Sequence, residues 1–417
     1  MIHGPQAGER ASILLLCQVL PYPLDAGPKV RAYHVLSWLA ARADLTLVCF
    51  ARDDDPPEAA EHLRGLCAGF VAVPMRRSIW RDLASLLHAL FTGRSFIVLR
   101  DERRAMREAL ATLSRATPFD AVHADQLWMA AYARDLAVPY RVLDDHNAVF
   151  RVFERLATHE PSPLKRWLWR REARRLASYE AAQLNAFDHT FFVSEEDRQA
   201  VLAERVDRRP LPAASTSVLP ICLDTARIEP LRLDPRARHV VMLGTMFWPP
   251  NAEGAIWFAE RVFDHVLRAV PDARLTVIGK RPPEALRAAL SRFGAAAELA
   301  GYVEDPRPYL EATAVFAVPL RSGGGMRVKI LDAWAWRLPV LSTSLGAEGI
   351  QVQPGQDILI ADDPAAFAEA AIRLLRDADL RRELAEAGRR AVEAHYDVDR
   401  VYAGLEAAYG RLLGEER

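Results

Sequence analysis

The sequence predicts an α/β protein made of two successive doubly wound domains, each a parallel sheet covered by helices on both faces. Three observations carry this. Short β-rich runs alternate with helical stretches through the first half, the pattern of a parallel sheet. A polar, proline-punctuated run without clear periodicity, Asp224 to Arg238, interrupts the alternation and reads as an interdomain linker. The alternation then starts afresh at His239. At 417 residues the chain also exceeds one ordinary core, since ~150 residues per domain is the usual scale.

In chain order, SILLLCQV opens the first domain, followed by a helix over Lys29 to Ala41 and the runs LTLVCFA, GFVAVPM, FDAVHAD, RVLDDHN, HTFFVS and TSVLPI. The second half brings HVVMLGT, a helix from Asn251 to Ala269, RLTVIGK, a helix near Pro283 to Phe293, AELAGYV, a short helix near Pro308, and AVFAVPL. A glycine turn, a helix and PVLSTS then complete a βαβ unit, and ILIAD with three helices ends the chain. The expected boundaries are 1–225 for the first domain, 226–238 for the linker, 239–395 for the second domain and 396–417 for a C-terminal helix packing back on the first. Ligands of such sheets collect at strand carboxyl ends, so a cleft between two facing sets of strand ends is the expected binding place.

Hydrophobic residues make up 51% and charged residues 26% of the chain, a globular composition. A net charge of -1 excludes any global pull toward nucleic acid or acidic lipid. Cys17, Cys49, Cys67 and Cys222 lack metal-ligand spacing and read as reduced thiols, hence a cytoplasmic protein. The apolar run Ile13 to Leu20 falls far short of the ~20 residues that span a bilayer, and its flanks are not those of a signal peptide.

The most informative segment is RSGGGMRVKILDAWAWRLPV, Arg321 to Val340. Gly323, Gly324 and Gly325 let the backbone approach a ligand and adopt positive φ. A helix begun near Met326 would aim its free N–H groups at that ligand, and Arg327 and Lys329 would bring charge to a phosphate. The segment is not a Walker loop, because the Gly-Lys-Ser/Thr element is missing.

These features, with VMLGTMFWPPNAEGAIWF, GYVEDPRPYLEATAVFAVPL and LSTSLGAEGI in the second domain and PYPLDAGPKVRAYHVLSWLA in the first, resemble the GT-B glycosyltransferases. The resemblance is strongest to the retaining family 4 group (glycosyl transferases group 1) of bacterial surface polysaccharide synthesis, and it covers nearly the whole chain. It implies two Rossmann-like domains and transfer from a nucleoside diphosphate sugar to a glycan or lipid-linked acceptor, with retention and with no metal or other cofactor. The chain departs from the family at two places. Of the usual donor pair of glutamates, the second acid falls at Asp332 and the first at Gly324, and no cation follows the first strand of the second domain, which reads GTMFWPPN. Arg327 and Lys329 would then neutralise the diphosphate from the glycine-loop side. Backbone N–H groups of Gly325 and Met326 would partly replace the lost glutamate, and Asp332 would accept hydrogen bonds from a ribose diol.

Further candidates lie at other strand ends. His146, in VLDDHN with Asp145 and Asn147, is either a contact to the donor sugar, as the family suggests, or a satisfied structural histidine. Gly27 is expected in a turn where a ligand meets backbone. Lys29 and Arg31 after it either greet a phosphate or acidic acceptor or form a solvated helix start. Glu348 would meet sugar hydroxyls. The acidic runs Asp53 to Asp55 and Asp362 to Asp363 read as a solvated loop and a helix start. No metal site is expected.

KRWLWRREARR, Lys165 to Arg175, holds six cations and one acid with Trp167 and Trp169. It either lies on an anionic membrane, placing the enzyme peripherally at the inner face, or is a domain helix with arginines in water and tryptophans packed inward. Neighbouring MRRSIWRDLASLLHALF, Met75 to Phe91, favours the membrane contact. Two rival functions fit the same fold, a sugar-nucleotide epimerase and a noncatalytic nucleotide-sugar-binding protein.

Overall fold

The computed structural model describes residues 10–24, 27–207, 211–212 and 215–414. The chain divides into two compact units, one running to Cys222 and resuming at Val401, the other spanning Leu223–Arg400.

The first unit holds a seven-stranded sheet of β1 (Ser12–Cys17), β2 (Asp44–Ala51), β3 (Gly69–Pro74), β4 (Ala121–Asp125), β5 (Tyr140–Asp145), β6 (His189–Phe192) and β7 (Thr216–Val218). Its order is β3-β2-β1-β4-β5-β6-β7, and every pairing is parallel. The second holds β8 (His239–Leu243), β9 (Arg274–Ile278), β10 (Ala297–Gly301), β11 (Thr313–Val318), β12 (Val340–Ser342) and β13 (Leu359–Ile360). Their order, β10-β9-β8-β11-β12-β13, repeats the first sheet's permutation, again all parallel.

The central strands read as unbroken apolar runs because helices cover both faces. SILLLC is buried from Ile13 to Cys17, and TAVFAV is buried throughout. One core gathers Leu14, Leu16, Val48, Phe50 and Val122. The other packs Val240, Leu275 and Val277 against Phe258, Phe263 and Phe367.

Three details differ from expectation or extend it. The helix expected over 251–269 is two helices, Pro249–Arg261 and Phe263–Ala269, hinged at Val262. The expected linker is fastened within the second unit, where Arg389 donates to the carbonyls of Thr225, Ile228 and Ala335 and Leu231 N–H donates to the Trp336 carbonyl. In the C-terminal helix Val398–Leu413, Tyr409 is fully buried and its hydroxyl lies 2.8 Å from His123 Nδ1. Cys17, Cys49, Cys67 and Cys222 are free thiols.

Candidate active site

In the second sheet the strand order reverses direction between β8 and β11, the position where doubly wound sheets bind ligands. The glycine turn leaves β11 at this point. Gly323 and Gly325 have φ of 105° and 80°, values that side-chain-bearing residues adopt only with strain. Gly324 is not among the positive-φ residues, so two of the three glycines, not all three, supply left-handed backbone. The helix spans Val328–Ala335 with Arg327 as its N-cap residue, two residues later than expected from Met326. It ends where Arg337 takes φ 59°: Leu338 N–H reaches the Ala333 carbonyl and Arg337 N–H that of Trp334, a Schellman closure. Fully buried Trp334 anchors it, donating from Nε1 to the Asp357 carbonyl at 3.1 Å.

Lys329, on the first turn of this helix, extends to the loop after β8. Its Nζ donates to Asn251 Oδ1 at 2.7 Å, and Asn251 Nδ2 donates to the Thr245 carbonyl at 3.0 Å. A Cβ at Gly244 would lie 2.7 Å from Lys329 Nζ, so a side chain there would displace the ammonium. The ammonium therefore stands against the very loop, GTMFWPPN, that carries no cation of its own. Arg327 folds back on the turn and donates from Nη1 to the Gly324 carbonyl.

Burial lowers the Lys329 pKa from 10.5 to about 8, helped by the charge of Arg327 and opposed by Asp332. Burial likewise raises Asp332 from 3.8 to about 7, against the pull of Lys329. Glu348 follows the short 3₁₀ turn Leu345–Ala347 after β12. The next residue, Gly349, abuts Met326: a Cβ on Gly349 would lie 3.4 Å from the Met326 Cα. The second unit thus brings together Gly324, Gly325, Met326, Arg327, Lys329, Asp332 and Glu348.

His146 and Gly27 belong to the first unit. His146 follows β5, and its Nε2 lies 2.9 Å from Asp125 Oδ1 and 3.8 Å from Asp144 Oδ2. Asp125, the last residue of β4, is in register with Asp144, the residue before the last of β5. Gly27 is the first residue of the helix Gly27–Arg42 rather than part of a turn. The phosphate-greeting or solvated role expected of Arg31 is corrected. Arg31 is 2% exposed, donates from Nε to both Asp144 oxygens at 2.9 Å and from Nη1 to the Leu219 carbonyl. Burial opposes ionisation of Asp144, but Arg31, His123 and His146 together outweigh it and hold the carboxyl below its usual range. Asp145 is buried among other acids: burial first, then the charges of Asp197 and Asp144, raise its pKa, and its own charge helps to raise that of Glu180.

Asp125, Asp144 and His146 place ligating atoms within 4.8 Å of one another. A divalent ion there would face the guanidinium of Arg31, which already supplies Asp144 with its positive partner. The set therefore suits a hydrogen-bonded charge network better than a metal.

Sequence reasoning missed Asn251, although it stands in the quoted WPPN motif, and Asp125, whose signal was its place at the end of FDAVHAD in register with VLDDHN. It also missed Gln126 beside Asp125, which has φ 71° and ψ 153°, a region otherwise almost reserved for glycine.

Two parallel sheets of one permutation, each with interleaved helices, are the architecture of GT-B proteins, and a cation-bearing glycine loop stands at the second switch point. Residues 237–377 match the family model described as glycosyl transferases group 1. The chain is 23% identical over 409 residues to an uncharacterized 44.6 kDa protein in the cps region of Klebsiella pneumoniae, covering 95% of this chain and 99% of that one. The fold is shared with Anabaena HepE in complex with UDP and glucose, at TM-score 0.64 and 13% identity over 96% of this chain and 100% of that one. It is shared too with WaaG, a glycosyltransferase involved in lipopolysaccharide biosynthesis, at TM-score 0.65 and 15% identity over 95% and 98%. No helix among the described residues is long and apolar enough to cross a membrane.

Proposed function

We propose that the protein moves a sugar from a nucleoside diphosphate sugar to a glycan or lipid-linked acceptor, with retention of configuration and without a metal, in bacterial surface polysaccharide synthesis. The observation that carries this reading is the Lys329 ammonium held against the Gly244 loop at the second switch point, with Arg327 folded over the glycine turn. HepE in its complexes with UDP and UDP-glucose, the role of WaaG in lipopolysaccharide synthesis and the cps-region relative support the donor class and the pathway.

The chemistry follows from charge. Breaking the anomeric C–O bond moves an electron pair onto the diphosphate, and Arg327, Lys329 and the N–H groups before and at the start of helix Val328–Ala335 stabilise that charge in place. The acceptor hydroxyl attacks the anomeric carbon from the face the phosphate leaves, and its proton passes to the departing phosphate oxygen. Asp332 accepts hydrogen bonds from the ribose hydroxyls, and Glu348 and the Gly325 and Met326 N–H groups hold the sugar. The enzyme works in the cytoplasm, peripherally at the inner face of the membrane where lipid-linked acceptors reside.

A thermal-shift screen of nucleotide sugars, followed by proton NMR of the product formed in the presence of chelator, tests this. Binding to the native state raises the melting temperature by mass action. The expected result is a shift with one donor and a product of unchanged anomeric configuration. No shift with any donor, or an inverted linkage, would sink the proposal, and an epimer formed from donor alone would replace the transferase by an isomerase.

A further inference from the structure

In the first unit the helix Ile79–Thr92 is built inside out. Ile79, Trp80, Leu83, Leu87, Leu90 and Phe91 are its large exposed apolar residues, with Trp80 80% and Phe91 88% exposed. At about 100° per residue they fall within an arc of roughly 120°. The helix packs by its other side, where Ala89 is buried and Asp82, Ser85 and Leu86 are partly covered. A contiguous apolar face of this kind marks a surface that meets something apolar.

Beside the helix's C-terminus opens a pocket of about 440 Å³ whose lining includes Arg94, Arg171, Arg174, Arg175, Ser178 and Tyr179, and no acid. The nearest buried carboxylate, Glu172, is already committed to the N–H groups of Phe96 and Ile97 at 3.1 and 3.0 Å. Arg171 donates to the Ala89 carbonyl at 2.7 Å, tying the pocket to the exposed helix. The Tyr179 hydroxyl is buried there without a hydrogen-bond partner among the described residues. Arg94 is ion-paired with Glu102, while the hydrogen bonds of Arg171 and Arg175 go to backbone carbonyls; with Arg174 these make three guanidinium groups around a cavity lined by no acid, which suits a phosphate.

We propose that this surface docks on an anionic phospholipid bilayer, the apolar face of Ile79–Thr92 lying in the headgroup boundary and the arginine pocket holding a lipid phosphate. Apolar and cationic parts side by side match the two layers that such a bilayer presents. A second copy of the chain fits poorly, since a two-fold contact would set the arginines of one copy against those of the other. The adjoining segment Lys165–Arg175 contributes one exposed tryptophan, Trp167 at 53%, while Trp169 packs on the Phe153 ring at 5.7 Å.

This inference deepens the peripheral placement proposed above, and its test reads lipid binding rather than sugar transfer, so either can fail alone. The full chain is sedimented with phosphatidylglycerol-containing and with pure phosphatidylcholine vesicles, alongside Trp80→Ser/Phe91→Ser, Arg174→Gln and, as a charge control on the other unit, Arg382→Gln. Binding to anionic vesicles only is expected, lost in the apolar double variant, weakened about fivefold by Arg174→Gln and unchanged by Arg382→Gln. Circular dichroism of each variant confirms folding. The proposal is overturned by parent binding that is absent or equal on both vesicles, by equal losses in the two arginine variants, or by lipid-free dimerisation through Trp80 and Phe91.

Discussion

At the carboxyl ends of the first sheet, Arg31 gives its guanidinium to Asp144, at 2.5 Å from Nη2 to Oδ1, and both side chains are buried. At the corresponding ends of the second sheet, Lys329 gives its ammonium to the neutral amide oxygen of Asn251 and Arg327 donates to the Gly324 carbonyl. The strand permutation is the same in both. In the first, an internal carboxylate satisfies the cation, and the pair holds the strand ends together. In the second, the hydrogen bonds of Lys329 and Arg327 go to neutral oxygens, with the Asp332 carboxylate acting on Lys329 from nearby, and in the proposed reaction an arriving diphosphate would add counter-charge. Whether a buried cation is scaffold or site is therefore set by its partner, not by its position in the fold.

The comparison breaks first at Arg31. Arg31→Ala strands the Asp144 carboxylate in the interior, and removing one member of such a pair typically costs ~3–5 kcal/mol. Urea unfolding should show a loss of that size, with much of it recovered in Arg31→Met/Asp144→Leu, which leaves no lone charge. An unchanged midpoint in the single variant would make Arg31 as dispensable to the fold as a site cation.

The second unit should respond in the opposite way. Arg327→Ala and Lys329→Ala each remove a preorganised charge from the leaving diphosphate, worth ~2.7–4 kcal/mol, or roughly a hundred- to a thousandfold in turnover, while the melting temperature stays close to the parent's. Near-normal turnover in both variants would refute the assignment of the site.

Much of this contrast was legible beforehand. Apolar run length located the strands, and residue type with spacing picked out the glycine turn, Arg327 and Lys329. What could not be read was partnership. Arg31 and Lys329 both sit on the first turn or two of a helix that follows a strand, and nothing local tells that the partner of Arg31 lies 113 residues on while Lys329 meets an amide 78 residues back. The Val262 hinge was hidden for a related reason: both halves of 251–269 carry helical periodicity, and only tertiary packing divides them. The inside-out helix Ile79–Thr92 has an apolar face that the sequence displays plainly, but periodicity does not say whether that face is covered.

A smaller effect follows from the pKa of Lys329. Between about 8 and 10.5 the folded protein holds this amine neutral while the unfolded chain still binds its proton. The unfolded state then binds more protons, so this group's contribution to stability rises with pH across that window. Asp332 acts in the reverse sense: between 3.8 and about 7 the folded state keeps a proton the unfolded state has lost, so its contribution falls as pH rises. The pair's contribution is thus least favourable between about 7 and about 8, where both are charged. Affinity for a nucleoside diphosphate should move against the alkaline stability trend, weakening by up to about tenfold per pH unit above the Lys329 pKa as its charge is lost. Calorimetric titration and thermal melts across this range read both trends, and Lys329→Met should flatten each. Affinity that holds constant to pH 10.5 would show that Lys329 does not meet the phosphates.

The smallest effect concerns strain. The second unit turns its chain at the switch with Gly323 and Gly325, whose φ of 105° and 80° cost a glycine little. The first unit forces the same kind of backbone on Gln126, with φ 71° and ψ 153°. It is held by the bond from its N–H to the Asp144 carbonyl at 2.8 Å, and its amide lies 3.4 Å from Asp125, the partner of His146. Such a conformation costs ~1–3 kcal/mol in a residue with a side chain, and glycine gives back ~0.5–1 kcal/mol of that through its freer unfolded chain. Gln126→Gly should therefore raise stability by about 1 kcal/mol in urea unfolding. If the strained residue is kept for the sake of the Asp125–His146 pair, the stabilised variant should also turn over more slowly. A destabilised variant would instead mean that the Gln126 side chain contributes more than its backbone costs, and the two switch points would differ in charge alone.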